Sequence, residues 1–365
     1  EEDVEAEELP AAVLAACATP TLPPRGAEER RRGHRTKAAL EILATERSYV
    51  RDLRSCVEHY MAALAGGGVA AADVQEVFCN LPVLLTLNQS FLAGLERRFG
   101  MGAAAAGPAP PPDQVCVGDL FSALAPTLAV YSEYYRGFDA SNAARARLRE
   151  GAAYAKLLQR LQATSADPKT DLDSLLIKPI QRPPRYCLLL KALLQLTDAG
   201  HPDAPLLEQA LAAVEAACTA INESKRDAEN KQRVVELARR IQGVDLVEPS
   251  RLFVHEAPVA LVPEGAAASK QKKRTSFLFN DILVLTKKGR LSTALVATNV
   301  IHLQGASLRD EPDTPELWNT FCLVAMDGKF TFVCTTDEAK RGLLAVWEGA
   351  IEKLHAATQS RLAHA

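Results

Sequence analysis

The sequence has no strong charge of one sign, no long apolar run and no cysteine pattern, and each absence removes a class of function. The formal net charge is −3 over 365 residues and the isoelectric point is near 6.2. No global field therefore draws the chain to nucleic acid. No segment approaches the roughly 18 consecutive apolar residues that cross a bilayer. Glu1 to Glu8 are acidic where a signal peptide begins basic. The closing Leu362-Ala363-His364-Ala365 is no lipidation signal. Membrane contact is therefore expected to be peripheral, and the location cytoplasmic. The 8 cysteines, Cys17, Cys56, Cys79, Cys116, Cys187, Cys218, Cys322 and Cys334, show neither C-x-x-C nor zinc-ligand spacing. They read as small apolar side chains in a reducing compartment. GxxxxGK(S/T), GxGxxG, HExxH and GxSxG are all missing, and the 7 histidines lack ligand spacing. Bond-making catalysis, metals and cofactors are not expected.

What is there is organised in two parts. Residues 1–33 are acidic, then Ala-rich, then broken by Pro20, Pro23 and Pro24, and read as a loosely ordered tail. From 34 to 240 the periodicity is helical. Ile42, Tyr49, Val50, Leu53, Val57, Tyr60 and Leu64 recur at three- and four-residue spacing. A second helix is expected over 73–99 with a bend at Pro82, then a Gly/Ala/Pro loop over 100–113. Helices over 118–138 and 142–161 follow, one after Asp171, and a long one from Ala204 toward Arg240. This part predicts an elongated all-α helical bundle. From 241 to 356 the pattern changes to short β-branched and aromatic runs at 259–262, 276–279, 282–286, 321–326 and 329–335. Turn signals such as Asp327-Gly328 separate them. An amphipathic helix over 337–354 closes a small β-barrel or sandwich, and 357–365 read as a second tail.

Two features stand out. Glu46 falls in the apolar stripe of its helix, where an unpartnered carboxylate is costly. Either it pairs internally or that part of the helix is an exposed docking face, and spacing leaves both open. In Leu175-Leu176-Ile177-Lys178-Pro179-Ile180-Gln181-Arg182-Pro183-Pro184-Arg185-Tyr186-Cys187-Leu188-Leu189-Leu190, Gln181 and Arg185 share a face if the segment is helical. Such a pair can present donors to a partner's carboxylates or carbonyls.

These segments also carry a family resemblance. Thr45-Glu46-Arg47-Ser48-Tyr49-Val50-Arg51-Asp52-Leu53 resembles the first signature helix of the Dbl-homology domain. Leu176 to Leu190 resembles its third signature region, and Phe78-Cys79-Asn80, Leu124-Ala125-Pro126 and Ile221-Asn222-Glu223 follow the same pattern in order. Leu278 to Leu285 and Trp347 resemble the pleckstrin-homology domain that usually follows. The resemblance implies a guanine-nucleotide exchange factor that stabilises the nucleotide-free form of a Rho-family small GTPase. It implies GTPase contacts at Glu46, Gln181, Arg185 and Asn222, with Ser174 and Lys178 nearby. In this resemblance Glu46 engages the first switch and the others the second. It also implies phosphoinositide binding at a basic loop, Lys270, Lys272, Lys273 and Arg274. The competing reading is a scaffold that holds a GTPase or a phosphoinositide at the membrane without exchanging. Where the family often has Pro after the Tyr of the third region, this chain has Cys187, and Pro183-Pro184 precede Arg185. The expectation is that the helix begins or kinks near Pro183, which changes the angle between Gln181 and Arg185.

Overall fold

The computed structural model describes residues 27–101, 111–165, 167–263, 270–289 and 294–363. Most of the acidic tail and of the 100–113 loop lies outside the described residues. The chain divides into two compact units, one ending at Lys225 and the other starting at Arg226.

The first unit is all-α. Helix α1, Ala27–Arg54, runs through a π-helical stretch, Ser55–Met61, into α2, Ala62–Gly66. It starts within the stretch expected to be tail. Arg31 is bound there by Asp198 at 2.9 Å. Arg35, which is buried, donates to Asp203 at 3.0 Å and to the Val115 carbonyl at 2.8 Å. The expected bend at Pro82 is a break one turn earlier. Helix α3, Ala71–Phe78, stops at Cys79, whose φ of 51° no helix continues. Helix α4, Leu81–Arg98, then starts with Pro82 in its first turn, where the missing N–H costs nothing. The 118–138 helix is likewise divided. A 3₁₀ stretch containing Pro126, Ala125–Val130, joins α5, Gly118–Leu124, to α6, Tyr131–Arg149. Helices α7, Ala152–Ala163, α8, Leu172–Leu176, α9, Lys178–Gln195, and α10, Ala204–Arg240, complete the order. By length and hydropathy α10 is apolar enough to cross a membrane, yet its Leu207, Ala210, Val214 and Ile221 are buried in the same core as Leu53, Phe121 and Tyr186.

The second unit is a strongly paired sheet closed by a helix. Strands β1, Ile241–Gln242, β2, Phe253–Val262, β3, Lys272–Phe279, β4, Ile282–Lys288, β5, Leu295–His302, β6, Ser307–Asp310, β7, Thr320–Ala325, and β8, Gly328–Val333, lie in the order β1-β5-β4-β3-β2-β8-β7-β6. All pairs are antiparallel except the short β1–β5 pair. Ser276 to Phe279 of β3 and Ile282 to Thr286 of β4 are buried on both faces, which is why they read as continuous apolar runs rather than alternation. Leu278, Leu283 and Leu285 enter the cluster of Trp347, while Phe277, Phe279, Ile282 and Val284 enter that of Val234, Leu237 and Ile241. Helix α11, Asp337–Ala363, continues past the expected end at 354. Its Trp347 meets Phe321 and Phe332 edge-on at 5.4 and 5.1 Å.

Candidate functional site

Helices α1 and α9 meet over a buried polar cluster. Glu46 has no exposed surface, and its Oε2 accepts from Arg182, itself 4% exposed, and from the Tyr186 hydroxyl at 2.8 Å. The Arg182 guanidinium lies over the rings of Tyr186 and Tyr49, at 4.6 and 5.1 Å. Asn88 joins the cluster, with Oδ1 2.9 Å from the Tyr186 hydroxyl and Nδ2 donating to Tyr131 at 2.8 Å. Burial pushes the Glu46 carboxyl up, against the opposing pull of Arg182. Of the two readings open for Glu46, the structure realises internal pairing. As folded, this carboxylate does not reach a partner's surface, which corrects its expected role as a direct contact.

The helix does not begin at Pro183. Helix α9 is continuous from Lys178, with Pro179 in its first turn and Pro183 and Pro184 within it. A proline at 184 removes the N–H that would bind the Ile180 carbonyl. The Tyr135 hydroxyl supplies that donor instead, and Tyr134 donates at 2.7 Å to the Leu176 carbonyl just upstream. Two tyrosines of α6 thus satisfy backbone acceptors that the local sequence leaves bare. Gln181 and Arg185 stay one turn apart, both exposed.

With Thr45, Ser48, Tyr49 and Asp52 of α1, and Lys178 and Arg182 of α9, they line a surface groove of about 220 Å³. Lys178 is tied across it to Asp52 at 2.6 Å. Glu41 is exposed and lies one turn before Thr45 on the same face of α1. It is the acidic residue this face offers to solvent, and the sequence reading missed it. The signal was available in the spacing Glu41, Thr45, Ser48, Asp52. Asn222 is exposed on α10, one turn beyond Cys218, and is not among the groove-lining residues. Ser174 is exposed in the first turn of α8, where Asp171 caps its backbone N–H at 2.7 Å. That bond and the Ser174 hydroxyl hold the Asp171 carboxyl below its usual range. Among the described residues, the side chains of Glu41, Gln181, Arg185 and Asn222 have no hydrogen-bond or ion-pair partner within the chain.

Residues 38–222, half of the chain, match the RhoGEF domain. The chain belongs to the RhoGEF domain family. It is 28% identical over 288 residues to Rac guanine nucleotide exchange factor JJ of Dictyostelium discoideum, covering 76% of this chain and 23% of that protein. It is 31% identical over 289 residues to Rho guanine nucleotide exchange factor 17 of Homo sapiens, covering 76% of this chain and 13% of that protein. The chain thus spans less than a quarter of the length of these relatives. An activated truncation of Vav1 superposes with a TM-score of 0.76 at 21% identity, covering 88% of this chain and 80% of that one. The DH/PH domains of PDZ-RhoGEF, solved with activated RhoA, superpose with a TM-score of 0.66 at 18% identity, covering 89% and 95%. These likenesses are of fold, a helical unit followed by a sheet unit of the pleckstrin-homology kind.

In the sheet unit of this RhoGEF-family chain, the residues expected in a basic loop are partly strand. Lys272, Lys273 and Arg274 open β3, paired to Leu261, Ala260 and Val259. Lys270 precedes the strand and is exposed, as are Lys272 and Lys273. Arg274 is half-buried and donates to Thr298 of β5 at 3.1 Å. The alternation of a strand puts Lys273 on the face opposite Lys272 and Arg274, so the four cations do not form one contiguous loop patch.

Proposed function

We propose that this chain promotes release of guanine nucleotide from a Rho-family small GTPase, with the α1–α9 groove and the neighbouring face of α10 as the docking surface. The observation that carries this reading is the set of exposed side chains without partners in the chain, Glu41, Gln181, Arg185 and Asn222, held over a core whose own charges are paired. Membership of the RhoGEF domain family supports it. So do the names of relatives that are Rac and Rho exchange factors. A GTPase holds its nucleotide and Mg²⁺ through two ordered switch loops. A protein that binds the nucleotide-free arrangement more tightly lowers nucleotide affinity by the same factor. No bond is made or broken, so no nucleophile, general base or cofactor takes part. Glu41 takes the acidic contact once expected of Glu46. Gln181 and Arg185 present donors, Lys178 contributes through its ion pair with Asp52, and Ser174 lies at the margin.

The test is release of a fluorescent guanine nucleotide from a panel of Rho-family GTPases, with wild type beside Glu41→Ala and Arg185→Ala. Acceleration on one GTPase that both variants lose supports the reading. Binding without acceleration on any GTPase would replace it with the scaffold. As a second element of the proposal, exposed Lys270 and Lys272 draw the sheet unit peripherally to the plasma membrane, where each cation near an anionic leaflet contributes about 1 kcal/mol. Vesicle sedimentation with and without phosphoinositide, repeated on Lys270→Glu/Lys272→Glu, tests it. Equal sedimentation of variant and wild type counts against it.

A further inference from the structure

Helices α9 and α10 bring two thiols into contact beside the proposed docking surface. The Sγ atoms of Cys187 and Cys218 lie 3.7 Å apart, and both residues are half-buried. No other pair of cysteine sulfurs makes such a contact among the described residues. The pair sits two residues after Arg185 and four before Asn222. One turn along α9, Lys191 is ion-paired at 2.6 Å to Glu215 of α10, which keeps the two helices in register at this level.

We propose that Cys187 and Cys218 form a redox site that a peroxide oxidises to a disulfide, and that the bridge slows nucleotide exchange. The second half rests on the exchange reading above. The chemistry follows from the arrangement. A thiolate is the attacking species. The hydrogen bond with Cys218 holds the Cys187 thiol below its usual range, while the same contact together with burial pushes Cys218 up. Either sulfur can be the donor of this contact, so either thiol can be oxidised first, with the same balance. With Cys187 first, its thiolate attacks one oxygen of hydrogen peroxide, the O–O bond breaks, and Cys187 becomes a sulfenic acid as hydroxide leaves. The Cys218 thiol then attacks the Cys187 sulfur. The S–S bond forms, the S–O bond breaks, and the departing hydroxyl leaves as water with the Cys218 proton. The proton lost from Cys187 neutralises the first hydroxide. Two thiols are oxidised by two electrons, and one peroxide is reduced to two waters.

The bridge has a mechanical consequence. A disulfide needs its sulfurs about 2.0 Å apart, so the contact must close, and the bridge then fixes α9 to α10 at this level where a free contact lets them adjust. Arg185 and Asn222 each lie within about a turn of the bridge and must both meet one GTPase surface. A shift of order 1 Å at such a surface is enough to reduce a reaction that depends on positioning.

The experiment uses the full chain, fully reduced and then exposed to hydrogen peroxide, with free thiols blocked before trypsin digestion. Peptide Tyr186–Lys191 should appear linked to Ala192–Lys225. In parallel, exchange on the responsive GTPase should fall by roughly tenfold and return with dithiothreitol. The variants Cys187→Ser and Cys218→Ser should keep their exchange rates under peroxide. Absence of the linked peptide overturns the redox site. Equal loss of exchange in Cys187→Ser, or a linked peptide with an unchanged rate, overturns the regulatory role. If the reduced chain accelerates no GTPase, the exchange reading fails, and the peptide map still decides whether the thiol pair is oxidised.

Discussion

Replacing Arg182 by Ala should unfold the helical unit far more readily while leaving its surface almost unaltered. The substitution strips a carboxylate with no exposed surface, Glu46, of its cationic partner. The Tyr186 hydroxyl is the hydrogen-bond donor that remains on that carboxylate. Removing one member of a buried ion pair costs about 3–5 kcal/mol, because the other charge stays dehydrated. In a unit of this size each kcal/mol lowers Tm by about 2–4 °C, so the loss is roughly 6–20 °C. Glu46→Gln should cost less, since the amide oxygen still accepts from Tyr186 and from Arg182, whose buried charge is now the unpaired one. The pH dependence separates the two further. Burial raises the folded carboxyl above its ordinary value of 4.5. Stability contributed by the protonated form is complete below that value and is lost as pH rises from there through the folded pKa. Glu46→Gln cannot ionise, so its deficit relative to wild type should shrink as pH rises from 4.5 through the folded pKa. The assay is thermal unfolding followed by helical ellipticity. Both tryptophans, Trp318 and Trp347, lie in the second unit, so their fluorescence reports that unit separately and should not shift. A loss under about 2 °C for Arg182→Ala would refute the argument from an uncompensated charge. Loss of exchange at unchanged Tm in Glu46→Gln would refute its internal role.

Glu41→Ala and Arg185→Ala should leave Tm within about 2 °C, as exposed substitutions do. They should slow exchange by about tenfold or more, the effect of losing ~1.4 kcal/mol of transition-state contact, measured by nucleotide release. Tyr135→Phe removes the donor to the Ile180 carbonyl beneath Pro184 and should destabilise the helical unit by about 1–3 kcal/mol. Restoring that backbone donor with Pro184→Ala in the Tyr135→Phe background should recover most of the loss in urea unfolding. Trp347→Ala should cost the second unit about 3–5 kcal/mol, visible as an early transition in Trp318 fluorescence with the helical transition unchanged. Gly118→Ala places a methyl 2.5 Å from the Leu206 carbonyl carbon and should destabilise the α5–α10 packing, read as a lower urea midpoint for the helical unit.

The helical and sheet-rich halves could be read from periodicity because an apolar stripe at 3.6 residues and an apolar run of strand length are local properties. Leu53, Leu207 and Val214 announce one, and Leu278 to Leu285 the other. The break near Pro82 was legible as a disturbance but not as a boundary, and the one at Pro126 was not read at all. Whether a proline bends a helix or begins one depends on where the preceding turn stops, and here Cys79 stops it. Strand β5, Leu295–His302, and the short β1 and β6 escaped notice, because half-buried and two-residue strands carry little pattern of their own.

What the sequence by itself determined was the family, the order of elements and the identity of the polar residues that gather near one face. What only the tertiary structure decided was which of those residues face out. Glu46 and Glu41 lie on one helix five residues apart, and both are carboxylates in a segment with a family signature. Their different fates arise because Arg182 and Tyr186, more than a hundred residues away, fold over one and not the other. Likewise, Pro183-Pro184 predicts a break from local backbone chemistry, and Tyr134 and Tyr135 of another helix override it by supplying hydrogen bonds to bare carbonyls. Burial and hydrogen-bond satisfaction are sums over neighbours in space, and the local sequence names only one of the participants.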